Sequence, residues 1–301
     1  MIAADLDPRF IARISADTHF VTTHAPVRTE EELAAIVGGY EVLVTRAYNK
    51  VTRRVIDAAP RLELIAQGTS GIDNIDADAA RERGIAIVNL PGENANAVAE
   101  LVIAFMLSMT RTIPQYGREV VAGIWRRDDC ATRHELRHYR LGIIGLGEVG
   151  RRVSRLAVAF DVRVTAYDPY VTDDDFAQRG AARATSLDML LRQSDIVTLH
   201  VPLTAETRRM IGATEITAMP HGSYLINAAR GEVLDQQAAL AALANEQLAG
   251  LALDVFDPEP PEALPDDPRL MLTPHIGGCS HECKAAIGER LYERIVGFYG
   301  S

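Results

Sequence analysis

The sequence predicts an α/β protein of two domains, each built on a parallel β-sheet covered by helices. Three observations carry this expectation. Short apolar runs such as Val42–Thr45, Leu64–Gln67, Leu141–Ile144 and Ile196–His200 alternate with amphipathic segments of helical period, and that alternation implies parallel strands joined by crossover helices. The run Leu141–Ile144 leads into Gly145-Leu146-Gly147-Glu148-Val149-Gly150, then an amphipathic segment, then a second apolar run, Val162–Tyr167, closed by Asp168. The length of 301 residues lets each of two domains bury its own core.

In chain order, Leu6–Ser15 reads as a helix, which leaves only Ile2–Ala4 for a first strand. Strands follow at Phe20–Thr23, Val42–Thr45, Leu64–Gln67 and Ile85–Asn89, separated by helices at Glu30–Val37, Val51–Ala59 and Asp76–Arg83. Asn94–Met109 is a long apolar helix without a charge after Glu100, suited to a buried helix between domains. Arg118–Leu136 is polar, holds the only tryptophan, Trp125, and reads as an arm for contact between copies. After Asp168, helices at Ser186–Gln193 and Asp235–Asn245 alternate with strands at Ile196–His200, Tyr224–Asn227, Gly250–Asp254 and Leu270–Thr273. Together with the two strands flanking the glycines this makes about six, the number in a full doubly wound dinucleotide fold. Glu282–Phe298 is a closing helix, expected to return to the first domain.

The glycine pattern has a mechanism. Gly145 permits the tight turn, Gly147 lets backbone approach a pyrophosphate, and Gly150 lets helix pack on strand. The free N–H groups and positive dipole of the helix then face the anion. Asp168, 18 residues after Gly150, would accept hydrogen bonds from the adenosine ribose and repel a 2′-phosphate. No Arg or Lys stands at Pro169, Tyr170, Val171 or Thr172, so NAD is preferred over NADP.

Composition narrows the partners. A net charge of −10 argues against nucleic acid or an anionic membrane surface, and an anionic substrate then needs local cations. No apolar run approaches the ~20 residues of a membrane span. The opening MIAADLDPRF lacks a basic and an apolar signal region, so no signal peptide is expected. Three cysteines, Cys130, Cys279 and Cys283, suit a reducing cytosol; with only His281 between the last two, no metal site is expected.

Candidate chemistry lies just past strand ends. Arg230, Asp254, Glu259 and His275 all occupy such loops in the second half. Hydride transfer to a carbonyl needs a permanent cation for a carboxylate, which Arg supplies bidentately. It also needs an acid for the alkoxide, which His supplies near neutral pH, and a carboxylate beside that His would fix its orientation and favour its charged form. Taken singly, Arg230 could be a surface ion-pair partner, Glu259 a solvated residue and His275 a turn histidine. Taken jointly, at strand ends of a dinucleotide-binding sheet, the catalytic reading leads. In the first half, Gly68-Thr69-Ser70-Gly71 follows a strand and is either an anion-binding nest or an ordinary turn. Arg46 sits at the same sheet edge, where a solvated surface Arg is the ordinary alternative.

At these residues the chain resembles the D-2-hydroxyacid dehydrogenase family, through GTSGIDNID (68–76), NANAVAELV (94–102), LGIIGLGEVG (141–150), HVPLT (200–204), LINAARG (225–231), LALDVFDPEP (251–260) and LTPHIGG (272–278). The phosphoglycerate and glycerate dehydrogenase branch is the most similar. The resemblance implies a Rossmann domain at 94–276 inserted in a smaller flavodoxin-like substrate domain made of 1–93 and 277–301. It implies Arg230, Glu259 and His275 as catalytic residues: His275 as acid in reduction, Glu259 as its holder, Arg230 on the 2-oxo acid. It puts Asp254, Ala228 and Ala229 at the nicotinamide end, the Glu148 and Val149 backbone at the pyrophosphate, Val201 with Asp168 on the adenosine side, and Gly277 and Gly278 among the cofactor-binding residues. Thr69, Ser70, Gly71 and Ile72 would take the substrate carboxylate through their N–H groups, and Arg46 a phosphate or second anion.

The implied reaction moves a hydride between nicotinamide and C2 of a small D-2-hydroxy or 2-oxo acid, with hinges near Gly92–Asn94 and Gly277–Ser280. A cytosolic homodimer is expected. The family's Gly–x–Glu–Leu–x–Gly pattern is replaced here by Thr132-Arg133-His134-Glu135-Leu136-Arg137-His138, and no regulatory domain is expected after Ser301. Two rivals stand: a non-catalytic NAD-sensing scaffold like the corepressors resembling this family, and formate or phosphite oxidation on the same scaffold.

Overall fold

The computed structural model describes residues 1–128, 130–131 and 133–300. The chain divides into two compact units, Ala95–Gly277 and the remainder, Met1–Asn94 with the chain from Gly278 onward. The Arg118–Leu136 arm includes Asp129 and Thr132, and the replaced glycine pattern begins at Thr132; these two residues and Ser301 lie outside the described residues.

The first unit carries a parallel sheet of β1 (Val42–Thr45), β2 (Leu64–Gln67) and β3 (Ala86–Val88), in that order. Around it lie α1 (Pro8–Ala16), α2 (Glu30–Ile36), α3 (Arg53–Asp57) and α4 (Ala77–Glu82), joined by the last helix of the chain, α12 (His281–Tyr299). Side chains start these helices as capping chemistry requires. Thr29 and Glu32 form a capping box on α2, while Asp76 and Ser280 accept from the N–H groups of Ala79 and Cys283.

Two expectations fail in this unit. Phe20–Thr23 is not a strand; pairing occurs one residue on, where His24 bridges Ile2, which also bridges Val44. Val21 and its threonines have β-propensity but no face to cover, and Val21 is 98% exposed. The helix expected from Val51 starts at Arg53, because Val51 bridges Ile75.

The second unit opens with α5 (Ala95–Thr110) and α6 (Ile113–Val121). A seven-stranded sheet follows: β4 (Arg140–Ile144), β5 (Arg163–Tyr167), β6 (Ala182–Arg183), β7 (Ile196–Leu199), β8 (Ser223–Asn227), β9 (Leu248–Leu253) and β10 (Leu270–Leu272). All its pairs are parallel, in the order β10-β9-β8-β7-β4-β5-β6. The order reverses between β4 and β7, the switch point at which such sheets bind ligands.

The intervening helices are α7 (Glu148–Ala159), α8 (Asp173–Gln178), α9 (Leu187–Gln193), α10 (Ala213–Ala218) and α11 (Gln236–Ala244). Alternate strand residues feed two cores. Leu141, Ile143, Ile226 and Ala252 pack with α5 and α7, whereas Ile144, Val197, Leu225 and Leu251 pack with α9, α10 and α11. The expected six strands become seven because β6, two exposed residues long, carries no readable period; the short α8 and α10 were likewise not expected. Among the described residues no single helix is long and apolar enough to cross a membrane.

Candidate active site

The glycine turn stands at the switch point, between β4 and α7. Gly145 has φ +89°, and a Cβ there would lie 2.8 Å from the carbonyl of His200. On Gly150 a Cβ would lie 2.1 Å from the Gly145 oxygen, so helix and turn meet only through glycine. Gly147 differs: a Cβ would meet nothing within 4 Å. The protein's own packing does not require that glycine, and the open space beside it fits an approaching phosphate. Gly147 also caps α7 without a side-chain hydrogen bond, which leaves the first-turn N–H groups for an anion. The Glu148 carboxylate turns back onto its own helix, where Arg151 and Arg152 hold it below the usual carboxylate range.

Asp168 ties the glycine turn to the chain that leaves β5. Its Oδ2 accepts the Leu146 N–H at 2.8 Å and its Oδ1 accepts the Tyr170 N–H at 2.9 Å. Each oxygen keeps a second lone pair for a hydroxyl. Arg179, not singled out in the sequence, donates from Nη1 to the Leu146 carbonyl at 2.5 Å. Val201 packs beside Gly145.

Three adjacent strands lead into three of the candidate residues, two of them expected catalytic residues and the third, Asp254, expected at the cofactor. Arg230 follows β8, Asp254 follows β9, and His275 follows β10. Arg230 Nη1 donates to the Ala229 carbonyl at 2.7 Å, and Asn227 Nδ2 donates to the Arg230 carbonyl at 2.9 Å. The turn passes so close under Phe256 that a Cβ on Gly231 would sit 1.9 Å from its carbonyl oxygen. His275 Nδ1 lies 2.8 Å from Glu259 Oε1, with both side chains about two-fifths exposed. Facing a carboxylate, Nδ1 carries the proton of this contact, which fixes the ring's tautomer and orientation.

Asp254 is 2% exposed, and its carboxylate is taken up by the turn carrying His275. It accepts from Thr273 Oγ1 at 2.6 Å, the Ile276 N–H at 2.8 Å and the Gly277 N–H at 2.9 Å. Ala228 and Ala229 follow β8, with Ala229 buried. Gly277 belongs to the second unit and Gly278 to the first.

In the first unit, Thr69, Ser70, Gly71 and Ile72 form the loop after β2. Ser70 is engaged: its hydroxyl donates toward Leu90 O and Asn94 Oδ1, and its carbonyl accepts from Asn89. The N–H groups of Ser70, Gly71 and Ile72 donate to no acceptor among the described residues. Arg46 follows β1, its N–H bound to Asn49 Oδ1 at 2.9 Å and its carbonyl to Asn74 Nδ2 at 3.2 Å.

A doubly wound parallel sheet with a glycine turn at its switch point and an acid on the neighbouring strand defines a dinucleotide-binding protein. Residues 103–277 match the family profile described as D-isomer specific 2-hydroxyacid dehydrogenase, NAD binding domain. The chain belongs to that family. It is 41% identical to the D-3-phosphoglycerate dehydrogenase of Archaeoglobus fulgidus over 89% of this chain and 51% of that one. It is 35% identical to the hydroxypyruvate reductase of Thermotoga maritima over 88% and 87%. Among solved structures, the D-lactate dehydrogenase of Aquifex aeolicus with NAD and lactic acid matches at TM-score 0.81 and 30% identity, covering 89% and 85%. The chain spans about half the length of the D-3-phosphoglycerate dehydrogenases it matches.

Proposed function

We propose that the protein is an oxidoreductase that passes a hydride between NAD and C2 of a small D-2-hydroxy or 2-oxo acid, of the phosphoglycerate, glycerate/hydroxypyruvate or glyoxylate kind. The observation that carries this is the 2.8 Å contact between His275 Nδ1 and Glu259 Oε1, at the strand ends of an NAD-binding domain. When bound, the nicotinamide supplies or accepts the hydride. His275 gives its Nε2 proton to the developing alkoxide and takes it back in oxidation. Glu259 fixes the tautomer that allows this and stabilises the imidazolium. Arg230 holds the acid's carboxylate and polarises its carbonyl.

Asp168 and the first turn of α7 would hold the dinucleotide, with the Asp168 carboxylate disfavouring a 2′-phosphate and so NADP. The N–H groups of Ser70, Gly71 and Ile72 offer the substrate an anion nest, with Arg46 as a further cation. On this reading the unit Ala95–Gly277 is the cofactor domain and the other the substrate domain. A homodimer is also part of the proposal, supported by apolar side chains left exposed around α6: Ile113, Val120, Val121 and Trp125. A screen of NADH oxidation with glyoxylate, hydroxypyruvate, pyruvate, phosphohydroxypyruvate and branched 2-oxo acids tests the activity. Turnover of at least one supports it, and turnover of none overturns it.

A further inference from the structure

We infer that Gln67, the last residue of β2, is a positioning residue for the acid-binding loop Thr69–Ile72; the inference rests on the activity proposed above. Gln67 is fully buried, where a polar side chain is costly without partners. It has them on both sides. Thr45 Oγ1 donates to its Oε1 at 2.6 Å. Its Nε2 faces Thr69 Oγ1 at 2.8 Å, Asn74 Oδ1 at 2.8 Å and the Gly71 carbonyl at 3.3 Å. One amide thus reaches both ends of the turn whose N–H groups stay unused.

The polarity of this network follows from fixed groups. Asn74 Nδ2 faces two backbone carbonyls, Arg46 O at 3.2 Å and Asn49 O at 2.7 Å, so its Oδ1 must be the atom turned to Gln67. Gln67 must then present N–H, and Thr45 must donate. Asn49, itself 2% exposed, anchors the far side by donating to Ala3 O and Val27 O while accepting the Arg46 N–H. The chain Thr45–Gln67–Asn74–Arg46 therefore joins the loop after β2 to the backbone of the cation after β1. A side chain of equal size but different donors cannot reproduce it. Gln67 thereby sets where the loop N–H groups and the Arg46 backbone sit with respect to one bound anion.

The test compares steady-state kinetics of the 301-residue chain, using the best 2-oxo acid from the screen, with NADH affinity read by fluorescence. Gln67→Met keeps length and removes the hydrogen bonds. The KM for the acid is expected to rise about tenfold or more while kcat changes little, and NADH affinity should stay at the wild-type value. Gln67→Glu adds a readout that packing would not move. Its protonated acid can donate to Asn74 and its carboxylate cannot, so the ratio of variant to wild-type KM should climb with pH. If Gln67→Met does not fold, Thr69→Val removes the partly buried partner and should raise KM in the same sense. Folded variants with wild-type KM, or a lowered kcat at constant KM, overturn the role of Gln67. A wild-type protein that reduces none of the acids is a different failure: it removes the activity and this inference with it.

Discussion

The N–H of His275 donates to the carbonyl of Asp254 at 2.8 Å, while the Asp254 carboxylate gathers the hydroxyl of Thr273 and the N–H groups of Ile276 and Gly277. His275 is held between them at φ +53°, a left-handed backbone that costs a non-glycine residue on the order of 1 kcal/mol or more. Asp254 therefore aims the imidazole through the backbone. In Asp254→Asn an amide NH2 replaces one acceptor and faces N–H or O–H donors. The expected outcome is a stability loss of roughly 1–3 kcal/mol in denaturant titration and a fall in kcat of about tenfold or more through misplacement of His275. An unchanged kcat would show that the turn holds His275 without this carboxylate.

Arg230 tests the substrate side. Arg230→Ala should lower turnover about 100-fold or more and leave NADH affinity nearly intact. Arg230→Lys should restore little, since a point charge cannot replace a planar fork. Loss of turnover and NADH binding in equal measure would undo the assignment of Arg230 to the acid.

Asp168 has two duties that one variant separates. Its carboxylate steadies the glycine turn through the Leu146 N–H and, on the proposed reading, discriminates against a 2′-phosphate. Asp168→Ser should weaken NADH binding about tenfold and weaken NADPH binding less, so the preference for NADH narrows. A preference that stays put, measured by competitive fluorescence titration, would assign the discrimination elsewhere.

Much of this arrangement was legible in sequence because it rests on periodicity and glycine sterics. The strands β1, β2, β4, β7 and β8 are apolar runs whose neighbours are polar, and Gly145 and Gly150 are positions where only hydrogen fits. The pairing at His24 was not legible, because the Phe20–Thr23 run has strand composition but covers nothing. Nor was β6, whose two exposed residues have no face to alternate. Gln67 and Asp254 show a second limit. Their partners are backbone groups and side chains brought together by crossover connections, so spacing gives no sign of the network that occupies them. His200 is a third case: it lies inside a recognisable string, yet the enclosure of its Nδ1 follows from the packing of the chain after β7 beside the glycine turn.

His200 as a whole is partly exposed, but its enclosed Nδ1 makes it an acid-sensitive point. Its imidazole Nε2 lies 3.0 Å from Thr198 Oγ1, its Nδ1 has no hydrogen-bond partner, and desolvation lowers its pKa from 6.5 to about 3. The folded state therefore keeps the ring neutral where the unfolded chain would protonate it. Between pH 6.5 and about 3 the unfolded state binds the extra proton, so stability must fall as pH drops through that window. The contribution is complete above 6.5 and drains toward about 3. His200→Gln fills similar space with a side chain that does not titrate. Urea titrations at pH 7, 5.5 and 4.5 should show a steeper loss of unfolding free energy in the wild type than in this variant, by up to one proton in the linkage slope, about 1.4 kcal/mol per pH unit. Parallel slopes would mean that the ring becomes protonated without unfolding, and that acid sensitivity in this fold lies with its carboxylates.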